Sequence, residues 1–133
     1  MTQEDKDLLL KDLCTRLPYG VKVICGTERS IFEVEAITSY SCVCPKDKNY
    51  LHNIDDDEIK PCLFPLSSMT EEQKREYRKV CELDTEILEK HPMDASPFPA
   101  MYNSQDWLDA HHFDYRGLIP MGLAIDATGL NIY

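Results

Sequence analysis

Six cysteines are the residues of this sequence with the widest range of possible chemistry. Cys42 and Cys44 are separated by one residue, and together with Cys25 and Cys62 they could supply four thiolates to a zinc ion. Structural zinc sites usually contain two cysteine pairs with roughly two to four residues inside each pair, whereas this set has one shorter pair. The sequence therefore favours a protein without a metal or another cofactor. A zinc-binding module or a metal-dependent enzyme that uses these cysteines remains the alternative.

Most of the thiols are predicted to be small core residues. Cys14 and Cys81 fall on the apolar stripes of predicted helices, and Cys42 and Cys44 point to the same face of a predicted strand. The amino terminus carries acidic residues where an export signal needs positive charge. We therefore expect reduced thiols and a cytoplasmic protein.

His111, His112 and Asp114 form the second group with possible chemistry, because imidazole and carboxylate groups serve as acids, bases and metal ligands. Adjacent residues of a helix point about 100° apart, so only one histidine can share a pocket with Trp107. The motif also lacks the strand-to-helix elbow of a serine hydrolase and a second set of ligands. We predict a histidine that caps the last turn of a helix, and Asp114 and Arg116 bonded to local backbone or to each other.

The acidic run Asp55, Asp56, Asp57 and Glu58 raises the question of a calcium or magnesium site. An EF-hand loop needs alternating ligands with a glycine and a glutamate at fixed later positions, and that spacing is missing. We expect a solvated turn, with a cation site or a contact surface as alternatives. The sequence also lacks glycine-rich nucleotide loops, a serine elbow and a zinc-protease motif, so it predicts a protein that is not an enzyme.

The charge balance is strongly acidic, with 24 acidic against 14 basic residues and a net charge of −10. Direct binding to nucleic acid is not expected, because phosphate contacts need clustered lysine and arginine. The excess is greatest from Val80 onward, where Lys90 and Arg116 are the only basic residues. This asymmetry predicts an anionic surface for a basic partner protein, formed by Glu82, Glu86, Glu89, Asp106 and Asp109.

Apolar spacing, caps and turn residues predict one domain over residues 1–133 with three helices and several strands. Thr2 with Asp5 and Thr70 with Gln73 start the first two helices, and Ser104 caps the third. Trp107 is expected to anchor the third helix in the core. We expect an α+β fold in which these helices flank a small antiparallel sheet, curled towards a partly open barrel. Strands are predicted over residues 19–25, 31–36, 38–44 and 59–66, and a further short strand is predicted to begin at residue 50.

No apolar run approaches the length of a membrane span, so no membrane association is expected. The sequence leaves the oligomeric state open. It also allows a small-ligand protein with a deep pocket lined by Trp107 and tyrosines.

Three segments carry a resemblance to other proteins: LLLKDLCTRLPYGVKV, IKPCLFPLSSMTEEQKREYRKV and HHFDYRGLIPMGLAIDATGLNIY. They resemble a large group of short, functionally uncharacterised proteins carried by phages, prophages and mobile elements of gut Bacteroidales. The resemblance implies an accessory protein of a mobile element and assigns no site residues. Together with the charge asymmetry, it leads us to expect a non-catalytic protein that binds a host protein. An inhibitor that covers the basic surface of a nucleic-acid-binding defence protein would fit this expectation.

Overall fold

The computed structural model describes residues 2–46, 50–90 and 103–133, and of residues 85–90 it describes the backbone only. Three helices and seven strands lie in this part of the chain, and the predicted α+β class is confirmed. None of these helices is long and apolar enough to cross a lipid bilayer. The elements follow in the order α1 (Gln3–Arg16), β1 (Lys22–Cys25), β2 (Ser30–Ile37), β3 (Cys42–Pro45), β4 (His52–Asn53), β5 (Ile59–Pro65), α2 (Glu71–Lys90), α3 (Asn103–Ala110), β6 (Phe113–Asp114) and β7 (Ile125–Asp126).

The strands form one mixed sheet in the order β4-β3-β2-β1-β5-β6, and β7 also pairs with β5. The pairs among β1 to β5 are antiparallel, as predicted, whereas β6 and β7 run parallel to β5. The sheet is therefore larger than the small antiparallel sheet expected from the sequence. The difference arises because the carboxy-terminal segment adds β6 and β7, which are two residues each and too short to show strand periodicity.

Strong curvature brings the β4 edge of the sheet back towards β1. A β-bulge lies between Val34 and Ala36 of β2, and bulges increase the local twist. β4 and β5 are four positions apart in the sheet order, yet they are joined by a compact turn. In that turn the N–H of Asp57 donates to Asn53 O at 3.0 Å, and the N–H of Ile59 donates to Ile54 O at 3.1 Å. The result is a curled sheet that stays open.

The main core lies between α1 and the inner face of the sheet. Leu9 and Leu13 of α1 are fully buried with apolar residues of the strands and of the carboxy-terminal segment, including Val23, Val43 and Leu118. Cys14 is exposed, so the prediction that it lies on the buried stripe of α1 was wrong. The buried stripe consists instead of Leu9, Asp12, Leu13 and Arg16.

A second buried cluster joins α2 to α3 around Trp107, which is 9% exposed. The Trp107 ring lies parallel to Phe113 at a centroid distance of 5.8 Å, and Tyr77 of α2 lies 5.4 Å from it. α2 begins at the predicted capping box, in which Thr70 Oγ1 accepts the N–H of Gln73 at 3.1 Å. The prediction of Trp107 as a core anchor is confirmed.

Asp84 of α2 caps the start of α3. Its two carboxylate oxygens accept the N–H groups of Asn103 and Ser104, both at 2.9 Å. The sequence predicts Ser104 as the cap of α3. In the structure, the carboxylate oxygens of Asp84 in the preceding helix accept these hydrogen bonds instead. Burial raises the pKa of Asp84, but the hydrogen bonds from Ser104 and Asn103 outweigh burial and hold the pKa below its ordinary value of 3.8.

We expect Trp107→Ala to lower the free energy of unfolding by about 3 to 5 kcal/mol, because it removes the centre of the second cluster. Urea unfolding followed by circular dichroism measures this loss. Tyr40 is 84% exposed, so Tyr40→Ala is the matched aromatic control and should change stability by less than about 0.5 kcal/mol. Equal effects of the two substitutions would contradict the assignment of Trp107 to the core.

Asp84→Asn should lower stability at neutral pH by about 1 to 2 kcal/mol, because the amide cannot accept both N–H groups. A carboxylate whose pKa is lowered by folding contributes stability that is complete above its unfolded pKa and is lost as the pH falls through the folded value. The stability difference between parent and variant should therefore shrink below about pH 4. Chemical unfolding at a series of pH values measures this stability difference. Glu82 is exposed on the same helix, so Glu82→Gln is the control.

Candidate functional site

The four cysteines of the predicted zinc site do not point to a common place. Cys25 is fully buried in the main core. Along β3 the buried residues are Val43 and Pro45, so Cys42 and Cys44 share the opposite face of that strand. Cys62 alternates with the core residues Ile59 and Leu63 of β5 and is not a member of the core cluster. The physical reason is strand alternation, which separates Cys25 from the other three thiols, so the predicted four-cysteine ligand set is not assembled.

Cys62 is also unfavourable as a thiolate. Burial raises the pKa of its thiol to about 11, against a smaller opposing effect from the charge of Lys22. The thiol is therefore protonated at neutral pH, and only the thiolate is an effective metal ligand or nucleophile.

Cys25 instead lies beside a histidine and a glutamate. Its Sγ is 3.9 Å from His52 Nδ1, and the other ring nitrogen, Nε2, is 3.8 Å from Glu28 Oε2. The thiol, one ring nitrogen and one Glu28 oxygen all lie within 4.8 Å of one another. Among the residues that the structure describes, this is the one group of three or more such side chains close enough to share an ion.

The ring of His52 is held in place from several sides. Its Nδ1 lies 3.2 Å from Asp57 Oδ2, and the same oxygen accepts the N–H of Asn53 at 3.0 Å. The ring stacks on Phe32 at 5.2 Å and meets the edge of Tyr50 at 4.9 Å. The side chain of His52 is 4% exposed, and its Nε2 has no hydrogen-bond partner in the described part of the chain.

Two turns bring these groups together. The 26–29 turn carries Glu28, and the N–H of Gly26 donates to Glu58 O in the 54–58 turn at 3.2 Å. A Cβ atom at Gly26 would lie 2.7 Å from Glu58 Oε2 and 2.8 Å from Glu58 Cβ, so this close approach requires glycine. Asn53 Oδ1 accepts the N–H groups of Asp55 and Asp56, which orders the acidic turn.

The arrangement does not fit a cysteine nucleophile activated by histidine. Such a relay needs the thiol and the orienting carboxylate on different ring nitrogens, whereas Cys25 and Asp57 both approach Nδ1. Cys25 is also fully buried, so its sulfur is closed to a substrate. The group is therefore better suited to holding a ligand than to covalent catalysis.

The predicted anionic surface is only partly present. Glu82 and Asp106 are exposed, whereas Asp109 is 2% exposed and belongs to the interior. Glu86 and Glu89 lie outside the residues whose side chains the structure describes. Asp109 is drawn inward because its Oδ1 accepts the Tyr115 hydroxyl at 2.7 Å and lies 4.0 Å from Arg16 Nε.

Asp109 is part of a buried charge network, which centres on Arg16. Arg16 Nε donates to Asp12 Oδ2 at 2.8 Å, and Arg16 Nη2 donates to Phe113 O at 2.6 Å. The other oxygen of Asp12 accepts from Arg116 Nη1 at 2.7 Å. Arg116 thus pairs with Asp12 and not with Asp114, and the network fixes α1 to the residues around β6.

The sequence contained one signal for this network. Asp12 and Arg16 are four residues apart, and they occupy the same helical face as Leu9 and Leu13. An oppositely charged pair within an apolar stripe is unusual on a surface helix and indicates a buried ion pair.

The motif around His111 is structural, as predicted. Nδ1 of His111 lies 2.8 Å from Trp107 O at the end of α3. Asp114 bonds to local backbone, since its oxygens accept the N–H groups of Leu118 and Ile119 at 2.9 Å. Burial lowers the pKa of His112 to about 4, and the charge of Arg16 acts in the same direction, so His112 is neutral at pH 7.

Tyr133 packs beside this motif and bridges the neighbouring strands β1 and β5. Its ring stacks on His112 at a centroid distance of 3.7 Å. Its hydroxyl accepts the N–H of Lys22 and donates to Cys62 O, both at 2.8 Å. Burial raises the pKa of Tyr133 above its ordinary value, so the hydroxyl remains a donor at neutral pH.

Trp107, which was predicted to line an aromatic pocket, is packed into the second cluster. An open depression of about 440 Å³ lies elsewhere and is bordered by Asp5, Asp55, Glu58, Lys60 and Met121. The chain matches no protein-family model, no curated protein and no solved structure.

Removing Arg16 should be strongly destabilising. Arg16→Ala leaves Asp12 Oδ2 and Phe113 O without their buried donor, and we expect a loss of about 3 to 5 kcal/mol in the free energy of unfolding. Chemical unfolding measures the loss, and Arg75→Ala on the exposed face of α2 is the matched control, with a change below about 0.5 kcal/mol. A similarly small effect at both positions would contradict a structural role for the network.

Proposed function

We propose that this protein is a non-catalytic accessory protein of a mobile element that binds a basic surface of a host protein through exposed carboxylates. The observation that carries the proposal is the position of Asp5, Asp55 and Glu58 around one open depression. These side chains come from α1 and from the 54–58 turn, so the fold gathers charges that are distant in the sequence.

The 26–29 turn extends this surface. The hydrogen bond from Gly26 to Glu58 O joins the two turns, and Glu28 and Asp56 are both exposed on them. We call Asp5, Glu28, Asp55, Asp56 and Glu58 the acidic turn surface. Arg29 and Lys60 are the basic residues within the two turns and at the start of β5.

The charge balance of the described part of α2 favours the acidic turn surface over the surface predicted on α2 and α3. From Glu71 to Glu82 the helix carries as many basic as acidic residues, and Lys74 pairs with Glu71 at 3.1 Å. Asp109 is buried, so the described parts of α2 and α3 expose fewer of the predicted carboxylates than the sequence indicates. The acidic turn surface carries five carboxylates against the two basic residues Arg29 and Lys60.

A basic protein surface is the partner that this charge pattern favours. A compact group of carboxylates repels nucleic acid and attracts clustered lysine and arginine, and such attraction accelerates association. The implied mobile-element context points to a host protein whose basic surface normally binds nucleic acid. Binding there would compete with the nucleic acid and inhibit the host protein.

Two matched variants test this proposal. The turn variant carries Asp55→Asn, Asp56→Asn and Glu58→Gln, and the helix variant carries Glu82→Gln, Glu86→Gln and Glu89→Gln. Each removes three negative charges with little change in side-chain size. We expect the turn variant alone to lower the association rate with a captured Bacteroidales protein, by about tenfold or more at low salt.

The parent is first immobilised, exposed to a Bacteroidales lysate and eluted with salt rising from about 0.05 to about 0.5 M, since screening weakens exposed charges over this range. The eluted protein is purified and its association rate with each variant is measured by surface plasmon resonance, after thermal unfolding has shown that both variants fold. Capture of no salt-released protein, or equal rates for the turn variant and the parent, would contradict the proposal. A slower rate for the helix variant alone would support the surface predicted from the sequence instead.

A further inference from the structure

We propose that Cys25, Glu28 and His52 form a binding site for one Zn²⁺ ion, with Asp57 as the residue that positions His52. The Cys25 thiol, a His52 ring nitrogen and a Glu28 carboxylate oxygen lie within 4.8 Å of one another. This ligand set differs from the four cysteines predicted from the sequence and shares only Cys25 with them. It also revises the expectation of a protein without a metal.

The chemistry of the donors favours zinc over calcium or magnesium. Zinc is bound by thiolate sulfur, imidazole nitrogen and carboxylate oxygen, usually with four ligands in a tetrahedron. Calcium and magnesium take oxygen ligands and have no preference for sulfur or nitrogen. Three protein donors fit the class of zinc sites that keeps one position for water or another ligand.

His52 supplies the second and independent observation. Its side chain is 4% exposed, and Nε2 has no hydrogen-bond partner within the described ranges. Buried polar atoms are nearly always hydrogen-bonded, so a buried ring nitrogen without such a bond is available as a metal ligand. This nitrogen is directed towards Glu28, whose Oε2 lies 3.8 Å away.

Asp57 gives His52 the orientation that metal-binding histidines typically have. Such histidines donate the N–H of one ring nitrogen to a carboxylate, which leaves the other nitrogen free to bind the ion. Here Nδ1 lies 3.2 Å from Asp57 Oδ2, and that oxygen is itself fixed by the N–H of Asn53. Asp57 is thereby the residue that positions the ring, and Nε2, which has no hydrogen-bond partner among the described residues, faces Glu28.

The surroundings allow the ion to enter and hold the site in shape. The side chain of Glu28 is 50% exposed, whereas Cys25 is fully buried and His52 nearly so. An ion can therefore approach from the side of Glu28 and reach two donors that are already positioned by the core. The bond between Gly26 and Glu58 O holds together the two turns that carry Glu28 and Asp57.

Co²⁺ and Zn²⁺ titrations of the full chain, after treatment with a chelator and in the presence of a thiol reductant, test the site. We expect about one Co²⁺ per chain with a thiolate-to-cobalt charge-transfer absorption and tetrahedral ligand-field bands, and displacement of the cobalt by Zn²⁺. Glu28→Gln should weaken binding by about tenfold or more, and Cys25→Ser should abolish the charge-transfer absorption. The control Cys42→Ser with Cys44→Ser should bind as the parent does.

Glu28 is half exposed, so Glu28→Gln is expected to fold and keeps the test decisive if Cys25→Ser does not. Circular dichroism of each variant verifies this. Absence of stoichiometric binding by the parent, or unchanged affinity in Glu28→Gln, would overturn the proposal. Loss of binding in the Cys42 and Cys44 control would overturn it in favour of a different thiol site. The test uses no partner protein, so its result is independent of the proposed function.

Discussion

The guanidinium of Arg16 has no exposed surface, and much of the surrounding structure is arranged to make its burial tolerable. Removing a charge from water costs several kcal/mol, which is offset only when partners of good geometry surround it. Asp12 accepts from Nε and the carbonyl of Phe113 accepts from Nη2, while Nη1 has no hydrogen-bond partner among the described residues, and Asp109 adds a second negative charge nearby. Arg116 then balances the remaining oxygen of Asp12. Four charged groups from α1, α3 and the segment after β6 are thereby locked into one relative position.

The number of acidic residues in the sequence overstates the negative charge of the surface, because several carboxylates form hydrogen bonds inside the protein. Asp84 and Asp114 are buried acceptors of backbone N–H groups, and Asp12 and Asp109 are buried beside arginine. All four act as structural hydrogen-bond acceptors and are withdrawn from the surface. Glu28, Asp55, Asp56 and Glu58 stay exposed where two turns meet, and they form a binding surface different from the one expected from the sequence.

The features that depend on local sequence were predictable. The capping boxes at Thr2 and Thr70 lie where the residue types indicated, and the burial of Trp107 followed from its apolar neighbours. The third strand was predicted at 38–44, but the chain turns at Ser41, whose φ is +62°, and the strand begins at Cys42. A serine in the left-handed conformation has no sequence signature, so this strand boundary could not be predicted from the sequence.

Long-range features escaped prediction for a different reason. The approach of His52 to Cys25 depends on how far the sheet curls, and the bulge in β2 that accompanies the curling is not encoded by a recognisable motif. The parallel pairing of β6 and β7 with β5 likewise depends on where the carboxy-terminal segment docks. Glu28 and His52 were the residues of the candidate metal site that the sequence reasoning missed, since a single glutamate and a single histidine in separate segments give no spacing pattern.

The bonds made by Tyr133 also bear on how the chain folds during synthesis. Its hydroxyl reaches Lys22 across 111 positions of the sequence, and Arg16 reaches Phe113 across 97. Contacts of such separation form slowly, because a long loop must be closed before they contribute. On the ribosome, α1 and the first strands emerge well before the residues that cover them. Until residues 113–133 have emerged, Arg16 lacks its bond to Phe113 O and the core is incomplete, so apolar side chains of α1 and the first strands stay exposed during synthesis.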